Sequence, residues 1–310
     1  MNKIKLFFFI VFAYILLFSA AVGAQTAKTM SSKEKKNEDE DFYIKEINLT
    51  MIKCPAGSFL MGSYDEDSLE NMGYVNGNGS HLNRWGFLYD EQPHWVTFTK
   101  HFYIGKYEVT QKQYEAIMGN NPSYDKGDEK PVEGVSWNDA KLFCEKLNER
   151  YSGILPEGYR FDLPTEAQWE YACRAGTTSN LNSGRNINND PKIAIDVARG
   201  SCPNLDKLGW YEGNASETIH VVGQLKSNSW YIYDMHGNIA EWCRDWYSQY
   251  PTCELEDPYV DALDRNYCRV VRGGCFFDRA WKCTSHSRDC THFESINPFV
   301  GFRAALVPVQ

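Results

Sequence analysis

The residues with the widest chemical scope in this chain are its ten cysteines, because a thiolate can bind a soft metal ion or form a disulfide. Five of them lie between Cys253 and Cys290. No Cys-x-x-Cys pair occurs, and no spacing of cysteine and histidine matches a zinc site. Cys144 and Cys173 fall in helical patterns and are predicted to be buried small side chains. The even number permits disulfides in an oxidising compartment, but the sequence does not give their connectivity.

Two carboxylates, Glu166 and Glu170, form a second candidate for chemistry in the stretch LPTEAQWEYA at 163–172. Side chains four residues apart lie on one face of a helix, so the pair could act as a general acid and base. The alternative is structural: Glu166 caps or braces the chain, and Glu170 pairs with a neighbouring arginine. The structural role is the favoured interpretation.

A cation site is a third candidate, in the stretch MHGNIAEW at 235–242. Gly237 permits a tight turn, and Asn238 and Glu241 could offer side-chain oxygens to a hard cation such as calcium. The alternative is that these two side chains only tie down the loop.

The elements that must position these residues follow from periodicity and capping signals. A strand, a Pro-Ala-Gly turn and a second strand are predicted over 52–62, and half-buried strands over the alternating stretch 95–109. Thr110, Ser136 and Thr165 each precede a predicted helix, the first ending near Met118 and the third at Gly176. The remainder is predicted to form short strands and long loops.

The N-terminus is predicted to be a targeting segment rather than part of the fold. Lys3 and Lys5 precede an apolar run over 6–18 and a small-residue cleavage site, so residues 1–24 are interpreted as a signal peptide. A retained membrane anchor is the alternative, although the run is short for a bilayer. Polar residues 25–44 predict a flexible leader, and 45–310 a single domain. The mature chain is therefore expected in the periplasm, at the cell surface or secreted.

Charge narrows the class of partner. The net charge is −9 and the isoelectric point about 5.4, so no basic surface is available for nucleic acid or for anionic lipid. After signal cleavage no transmembrane anchor is expected. The expected partner is a protein or a small molecule of unknown identity.

A series of sequence blocks in the remaining domain resembles the sulfatase-modifying-factor family, the family of the formylglycine-generating enzymes. The blocks occur in the family's order from about residue 45 to the end, which makes the resemblance specific. They are CPAGSFLMGS (54–63), DEQPHWVTFTKHFYIGKYEVTQKQY (90–114), PVEGVSWNDAKLFCEKLN (131–148), YRFDLPTEAQWEYACRAGT (159–177), WYIYDMHGNIAEWCRDWY (230–247), RVVRGGCFF (269–277) and GFRAAL (301–306).

The resemblance implies an α+β fold, a variant of the C-type-lectin fold with little regular structure and long loops. It also implies that the block containing Asn238 and Glu241 is similar to a calcium site of those enzymes. Two related chemistries are not expected. The residues before the domain leave no room for the N-terminal helical domain of the iron-dependent sulfoxide synthases, and no Gly-x-Ser-x-Gly motif of a hydrolase occurs.

The family's oxidase activity is not implied for this member. Its enzymes use O2 and a copper(I) ion held by two cysteines, at the third and eighth residues after the serine of an Arg-Gly-Gly-Ser motif. Here Cys275 stands at the serine position, the third residue is Asp278 and the eighth is Cys283. A carboxylate is a poor ligand for copper(I), so copper is not expected. A relocated Cys275–Cys283 pair would restore two thiolates; the alternatives are a disulfide of Cys275 with Cys283, a pairing with Cys268 or Cys290, and a free Cys275 thiol.

The segment 275–295 instead predicts a binding face, since it is rich in aromatic and charged side chains of the kind that recognition surfaces favour. Several of its residue types follow from adenine mutation of an asparagine codon, so it resembles the variable proteins of diversity-generating retroelements; an ordinary divergent loop is the alternative. The predicted binding residues are Phe277, Asp278, Arg279, Trp281, Lys282, His286, Asp289, His292 and Phe293.

Overall fold

The structure is a computed structural model and describes residues 40–63, 92–187, 201–261 and 267–309. The predicted signal peptide at 1–24 lies outside the described residues. The compact domain begins at Asp41. Strand β1, Phe42–Ile44, has both end residues buried, so the last three residues of the predicted leader belong to the domain. Among the described residues, none of the helices has the length and apolar character needed to span a membrane.

The largest sheet of the described residues has five antiparallel strands in the order β1-β2-β5-β12-β6. The C-terminal strand lies between β5 and β6, so the last residues of the domain complete the sheet that its first residues begin. The remaining strands of this sheet are β2 Leu49–Cys54, β5 Phe102–Gly105, β6 Tyr159–Asp162 and β12 Ala305–Pro308.

Two smaller sheets complete the β-structure of the described ranges, one ordered β10-β9-β7-β11 and the other β3-β4-β8. In the first, β10 is an edge strand, and β11 runs parallel to β7. The strands are β3 Gly57–Met61, β4 His94–Phe98, β7 Ala240–Trp246, β8 Leu255–Glu256, β9 Cys268–Arg272, β10 Arg288–His292 and β11 Val300–Gly301.

The three α-helices in the described part of the chain begin where the capping residues predict. They are α1 Gln111–Met118, α2 Trp137–Tyr151 and α3 Glu166–Arg174, and Thr110, Ser136 and Thr165 each form a capping box with the third helical residue. This reciprocal pair of hydrogen bonds satisfies two backbone donors that the helix cannot use. Short 3-10 turns lie at Lys45–Ile47 and Ala280–Lys282.

Helix α3 is the element that matters most for the site, because all nine of its residues are buried. Trp169 at its centre is fully buried, and its indole Nε1 donates to Glu241 Oε2 on β7 at 2.8 Å. The helix packs against β7 and β9, which places its carboxylates behind the four-stranded sheet. Cys144 and Cys173 are buried, as their helical patterns predict. The mixed sheets and few helices confirm the α+β class.

Candidate functional site

A cleft of about 320 Å³ lies on one face of the four-stranded sheet. Each strand contributes a floor residue: Ala240, Val271, Thr291 and Val300. Val271 lies opposite Asp289 in the ladder and Val300 opposite Ala240, so the side chains of this face point the same way. Five of the predicted site residues, Cys275, Phe277, Asp278, Lys282 and Asp289, also line the cleft.

One wall of the cleft is the loop over 273–282, which Gly274 brings close to the following turn. Gly274 has φ of +68°, and a Cβ there would meet Cys283 Sγ at 2.8 Å and the Lys282 carbonyl oxygen at 2.9 Å. A residue with a side chain would therefore be both strained and crowded. The wall depends on glycine at this position.

His236 holds the far end of that wall. Asn182 donates its backbone N–H to His236 Nε2 at 3.1 Å, so Nδ1 carries the proton and donates to the Cys283 carbonyl at 2.8 Å. Burial lowers the pKa of His236 to about 4, so the ring is neutral at physiological pH. No sequence pattern around His236 indicates this role.

An aromatic group forms the rim. Phe277 is 55% exposed, and its ring centroid lies 5.8 Å from that of Phe299 and 6.2 Å from that of buried Phe276. Phe276 also contacts Phe299 at 5.6 Å. Two of these rings thus present apolar surface to solvent while the third anchors them to the core.

An ion pair also lines the cleft. Lys282 Nζ is 2.7 Å from Asp289 Oδ2, and both side chains are partly exposed. The second carboxylate oxygen of Asp289 accepts the Cys290 backbone N–H at 2.8 Å. The cleft is therefore lined by both charged and aromatic side chains.

Asp278 closes the loop around Cys275. Its Oδ2 accepts the Cys275 backbone N–H at 3.0 Å, and its own N–H donates to the Cys275 carbonyl at 3.0 Å. Burial first, then the adjacent Asp278 carboxylate, raises the pKa of the Cys275 thiol well above its ordinary value. The carboxylate therefore acts as a loop brace that disfavours a thiolate at Cys275.

Cys283 is completely buried beneath Gly274, and its Sγ lies 4.0 Å from the Cys275 carbonyl. Burial, and then Asp278 and Cys275, raises its thiol pKa well above the ordinary value. A copper(I) site needs accessible soft thiolates, and this arrangement supplies a carboxylate and a sealed thiol at the two expected positions. The residues present do not fit copper(I).

Helix α3 supports the floor of the cleft through buried ion pairs. Glu170 binds Arg174, with Nε 2.8 Å from Oε1, and also Arg272 on β9. Glu166 receives two hydrogen bonds from Arg288 on β10, at 2.8 and 2.6 Å. Burial alone would raise the pKa of Glu170, but the two guanidinium groups hold it below its ordinary value. The structural interpretation of the two glutamates is confirmed, since both carboxylates are held by arginines.

The predicted calcium block uses its side chains within the protein. Both Glu241 oxygens accept from Arg303 at 2.6 Å, and Oε2 also accepts from Trp169. Asn238 Oδ1 accepts the His220 backbone N–H at 3.0 Å, and its amide donates to Glu108 at 3.1 Å. This is the geometry of the loop-bracing alternative. Calcium there stays a prediction that would require Glu241 to exchange its arginine for the cation.

The other predicted binding residues do not share the cleft. Arg279 is exposed and lies 3.4 Å from Glu212, while Trp281 packs against a small core cluster beside Cys283. The prediction that His286 belongs to an exposed face is wrong: it is 3% exposed, because the chain turns inward before β10 and its carbonyl accepts from Arg272.

His292 and Phe293 form a separate surface at the end of β10. Their rings stack with centroids 5.0 Å apart, and Phe293 contacts Trp246 edge-on at 5.8 Å. Neither lines the cleft. The nine predicted residues are thus divided among four places: the cleft, other positions on the 273–282 loop, the interior and this second surface.

Several lining residues were missed in the sequence, namely Ser287, Asn297 and Phe299. Asn297 and Phe299 come just before β11, whose parallel pairing with β7 brings them to the rim. Their position next to the GFRAAL block was the available signal, but only the topology places that block beside Cys275.

Comparisons with known proteins agree with this architecture. A family model described as the sulfatase-modifying factor enzyme 1-like domain matches residues 43–307. Chaperone protein LppX of Paenibacillus barcinonensis is 38% identical over 203 residues, covering 56% of this chain and 68% of that protein. Formylglycine-generating enzyme of Thermomonospora curvata is 24% identical over 306 residues, covering 85% and 95%. Among solved structures, Treponema denticola variable protein 1 matches with a TM-score of 0.68 and 26% identity, covering 88% of this chain and all of that one.

Proposed function

Since the chain belongs to the family of sulfatase-modifying factor enzyme 1-like domains, we propose that it is an exported member that binds a ligand or protein partner in the cleft beside Cys275 without oxidising it. The chain keeps the family's fold, and its cleft binds a partner without carrying out a reaction. Export is part of the proposal and rests on the signal-peptide pattern at 1–24.

One observation carries the non-catalytic part: the position of Asp278. Its carboxylate stands where the resemblance places a copper-binding cysteine, and it is used to brace Cys275. The remaining thiol of the expected pair, Cys283, is sealed from solvent. Two thiolates reachable by copper and by a substrate thiol are therefore lacking at these positions.

The cleft mouth supports the binding part. The exposed Phe277 and Phe299 offer aromatic contact area, and Lys282 with Asp289 offers charged hydrogen-bonding groups in the same cleft. Aromatic anchors beside polar groups on a rigid support are typical of recognition sites. The relative named as a chaperone protein favours a protein partner over a small molecule.

Panning a displayed random-peptide library on the full chain tests the proposal. We expect enriched peptides whose affinity falls at least about tenfold on Phe277→Ala, because an anchor residue is worth over 1.4 kcal/mol. Trp95→Ala is the matched control, since Trp95 is similarly exposed but does not line the cleft. Enriched peptides that bind Phe277→Ala as tightly as the unaltered chain would place recognition elsewhere.

The alternative function is a formylglycine-generating oxidase that uses a relocated or incomplete cysteine pair. The proximity of Cys275 to Cys283 is the observation in its favour. The raised thiol pKa values and the burial of Cys283 oppose it. A chain that converts a cysteine peptide to the aldehyde with copper(I) and O2 would establish this alternative.

Diversification by a retroelement is a further part of the proposal, and the geometry sharpens it. Variable positions on a binding face must be exposed, so changes between related isolates should concentrate at Phe277, Arg279 and other solvent-facing positions. Buried positions such as Ser285 and His286 should stay constant. Sequencing the locus in closely related isolates checks this, and an unchanging 275–295 segment would rule it out.

A further inference from the structure

Cys268 and Cys290 lie on adjacent antiparallel strands, on the face of the sheet opposite the cleft. In the ladder Cys268 pairs with His292, and Val270 with Cys290, so the two cysteines are diagonal neighbours. Val271, three residues after Cys268, and Asp289, directly before Cys290, line the cleft, so each lies an odd number of residues from its cysteine. Because side chains alternate along a strand, both thiols lie on the face of the sheet that points away from the cleft, where they are neighbours.

The two thiols are in contact and can be reached from solvent. A hydrogen bond joins their side chains. Both residues are partly exposed, whereas seven of the other eight cysteines, all in described parts of the chain, are buried. Cys253, the remaining one, is exposed on the loop after β7. Thiol contact and access to an external oxidant are thus combined at Cys268 and Cys290.

A disulfide is within geometric reach of this pair. Diagonal neighbours have Cα atoms roughly 7–8 Å apart, and a disulfide spans about 4.4–6.8 Å, so closure needs the two strands to slide or twist relative to each other by about 1 Å. Among the strands of the described residues, β10 is the edge strand of its sheet and pairs with β9 alone. It can therefore slide along β9 without disturbing a second ladder in that part of the chain.

We propose that Cys268 and Cys290 form a disulfide that staples β9 to β10 in the exported protein. In the reaction, the two thiols give up two electrons and two protons to a disulfide oxidant, such as oxidised glutathione or an oxidised dithiol protein, which leaves as two thiols. The cross-link encloses residues 269–289, and hence the entire wall of the cleft at 273–282. It fixes the base of the segment that presents the binding residues.

Tryptic mapping can test the pairing without ambiguity, because each relevant cysteine falls in its own peptide. Cleavage after arginine and lysine gives 266–269 with Cys268, 289–303 with Cys290, 273–279 with Cys275 and 283–288 with Cys283. The full chain, purified under reduction, is equilibrated at mildly alkaline pH with oxidised and reduced glutathione, alkylated and digested without reductant. We expect peptide 266–269 linked to 289–303. Linkage of 273–279 to 283–288 in its place, linkage of either cysteine to Cys253, or recovery of both peptides as alkylated thiols would overturn the assignment.

A thermal measurement gives a second, independent readout. Closing a loop of this length should raise the melting temperature by roughly 5–10 °C relative to the reduced chain. Cys268→Ser and Cys290→Ser should each abolish this dependence on reductant, whereas Cys253→Ser should keep it. The melting temperature of Cys268→Ser could still differ between oxidised and reduced samples by as much as that of the unaltered chain. In that case the stabilising disulfide would lie elsewhere.

Discussion

The floor and the wall of the cleft are built in opposite ways. The floor rests on buried ion pairs between α3 and strands β9 and β10, where Glu166 and Glu170 are held by Arg272, Arg174 and Arg288. The wall carries exposed side chains and two ion pairs that solvent can reach, Lys282 with Asp289 and Arg279 with Glu212. Breaking a buried pair strands a charge in a medium that cannot solvate it, whereas an exposed pair contributes little. The wall can therefore change its side chains at small cost to stability, as a recognition surface requires.

Removing a floor carboxylate should have the largest effect. Glu170→Gln leaves two buried guanidinium groups without their shared anion and should lower the free energy of unfolding by about 3–5 kcal/mol. Urea titration followed by tryptophan fluorescence measures this. Glu212→Gln is the control, because its partner Arg279 is 63% exposed, and it should cost no more than about 0.5 kcal/mol. Equal losses in the two variants would erase the distinction between floor and wall.

Acid should weaken the junction between floor and wall through His236. Its pKa is about 4 in the folded protein, below the ordinary value of 6.5. Between these two pH values the unfolded chain therefore binds more protons than the folded chain. The histidine's contribution is present above about pH 6.5 and is lost as the pH falls toward 4, by up to about 1.4 kcal/mol per pH unit. Urea midpoints across this window should fall more steeply for the unaltered chain than for His236→Gln. Exposed His292→Gln is the control, and a slope unchanged by His236→Gln would contradict the prediction.

Crowding the wall should have an intermediate effect. Gly274→Ala places a Cβ against Cys283 and the Lys282 carbonyl at a positive φ, which should cost about 1–3 kcal/mol and weaken peptide binding. Gly153→Ala serves as the matched variant, because a Cβ there meets open space without positive φ. Denaturant unfolding and the panned peptides report the two effects. A Gly274→Ala chain as stable as Gly153→Ala would show that the loop has room to shift.

Truncating the charged side of the wall should have the smallest effect on stability. Lys282→Ala removes a partly exposed ion pair and should change the unfolding free energy by no more than about 1 kcal/mol. Binding of panned peptides should fall more than stability does. A loss of stability comparable to that of Glu170→Gln would mean that the wall is structural.

Local signals explain which parts were predictable. Thr110, Ser136 and Thr165 act within one helical turn, so the helix starts could be placed from neighbouring residues alone. The pairing of Glu170 with a nearby arginine was predictable for the same reason, since Arg174 is one turn away.

Long-range pairing explains what was not predictable. Arg272 and Arg288 reach α3 from more than a hundred residues away, and β11 brings Phe299 beside Phe277 through a parallel contact with β7. The prediction that His286 is exposed rests on its residue type, which suits recognition, but side-chain direction within an irregular loop depends on the packing of that loop. Sequence blocks identify the scaffold, and topology decides which residues share the cleft.

Turnover of a cysteine peptide tests the central claim most directly. The full chain is incubated with copper(I), O2 and a sulfatase-type peptide containing one cysteine, and the peptide mass is followed beside a Cys283→Ser chain. We expect the peptide mass to stay unchanged with both chains, because Asp278 and the sealed Cys283 do not supply a copper(I) site. Conversion of the cysteine to formylglycine by the unaltered chain, and its loss in Cys283→Ser, would contradict the account.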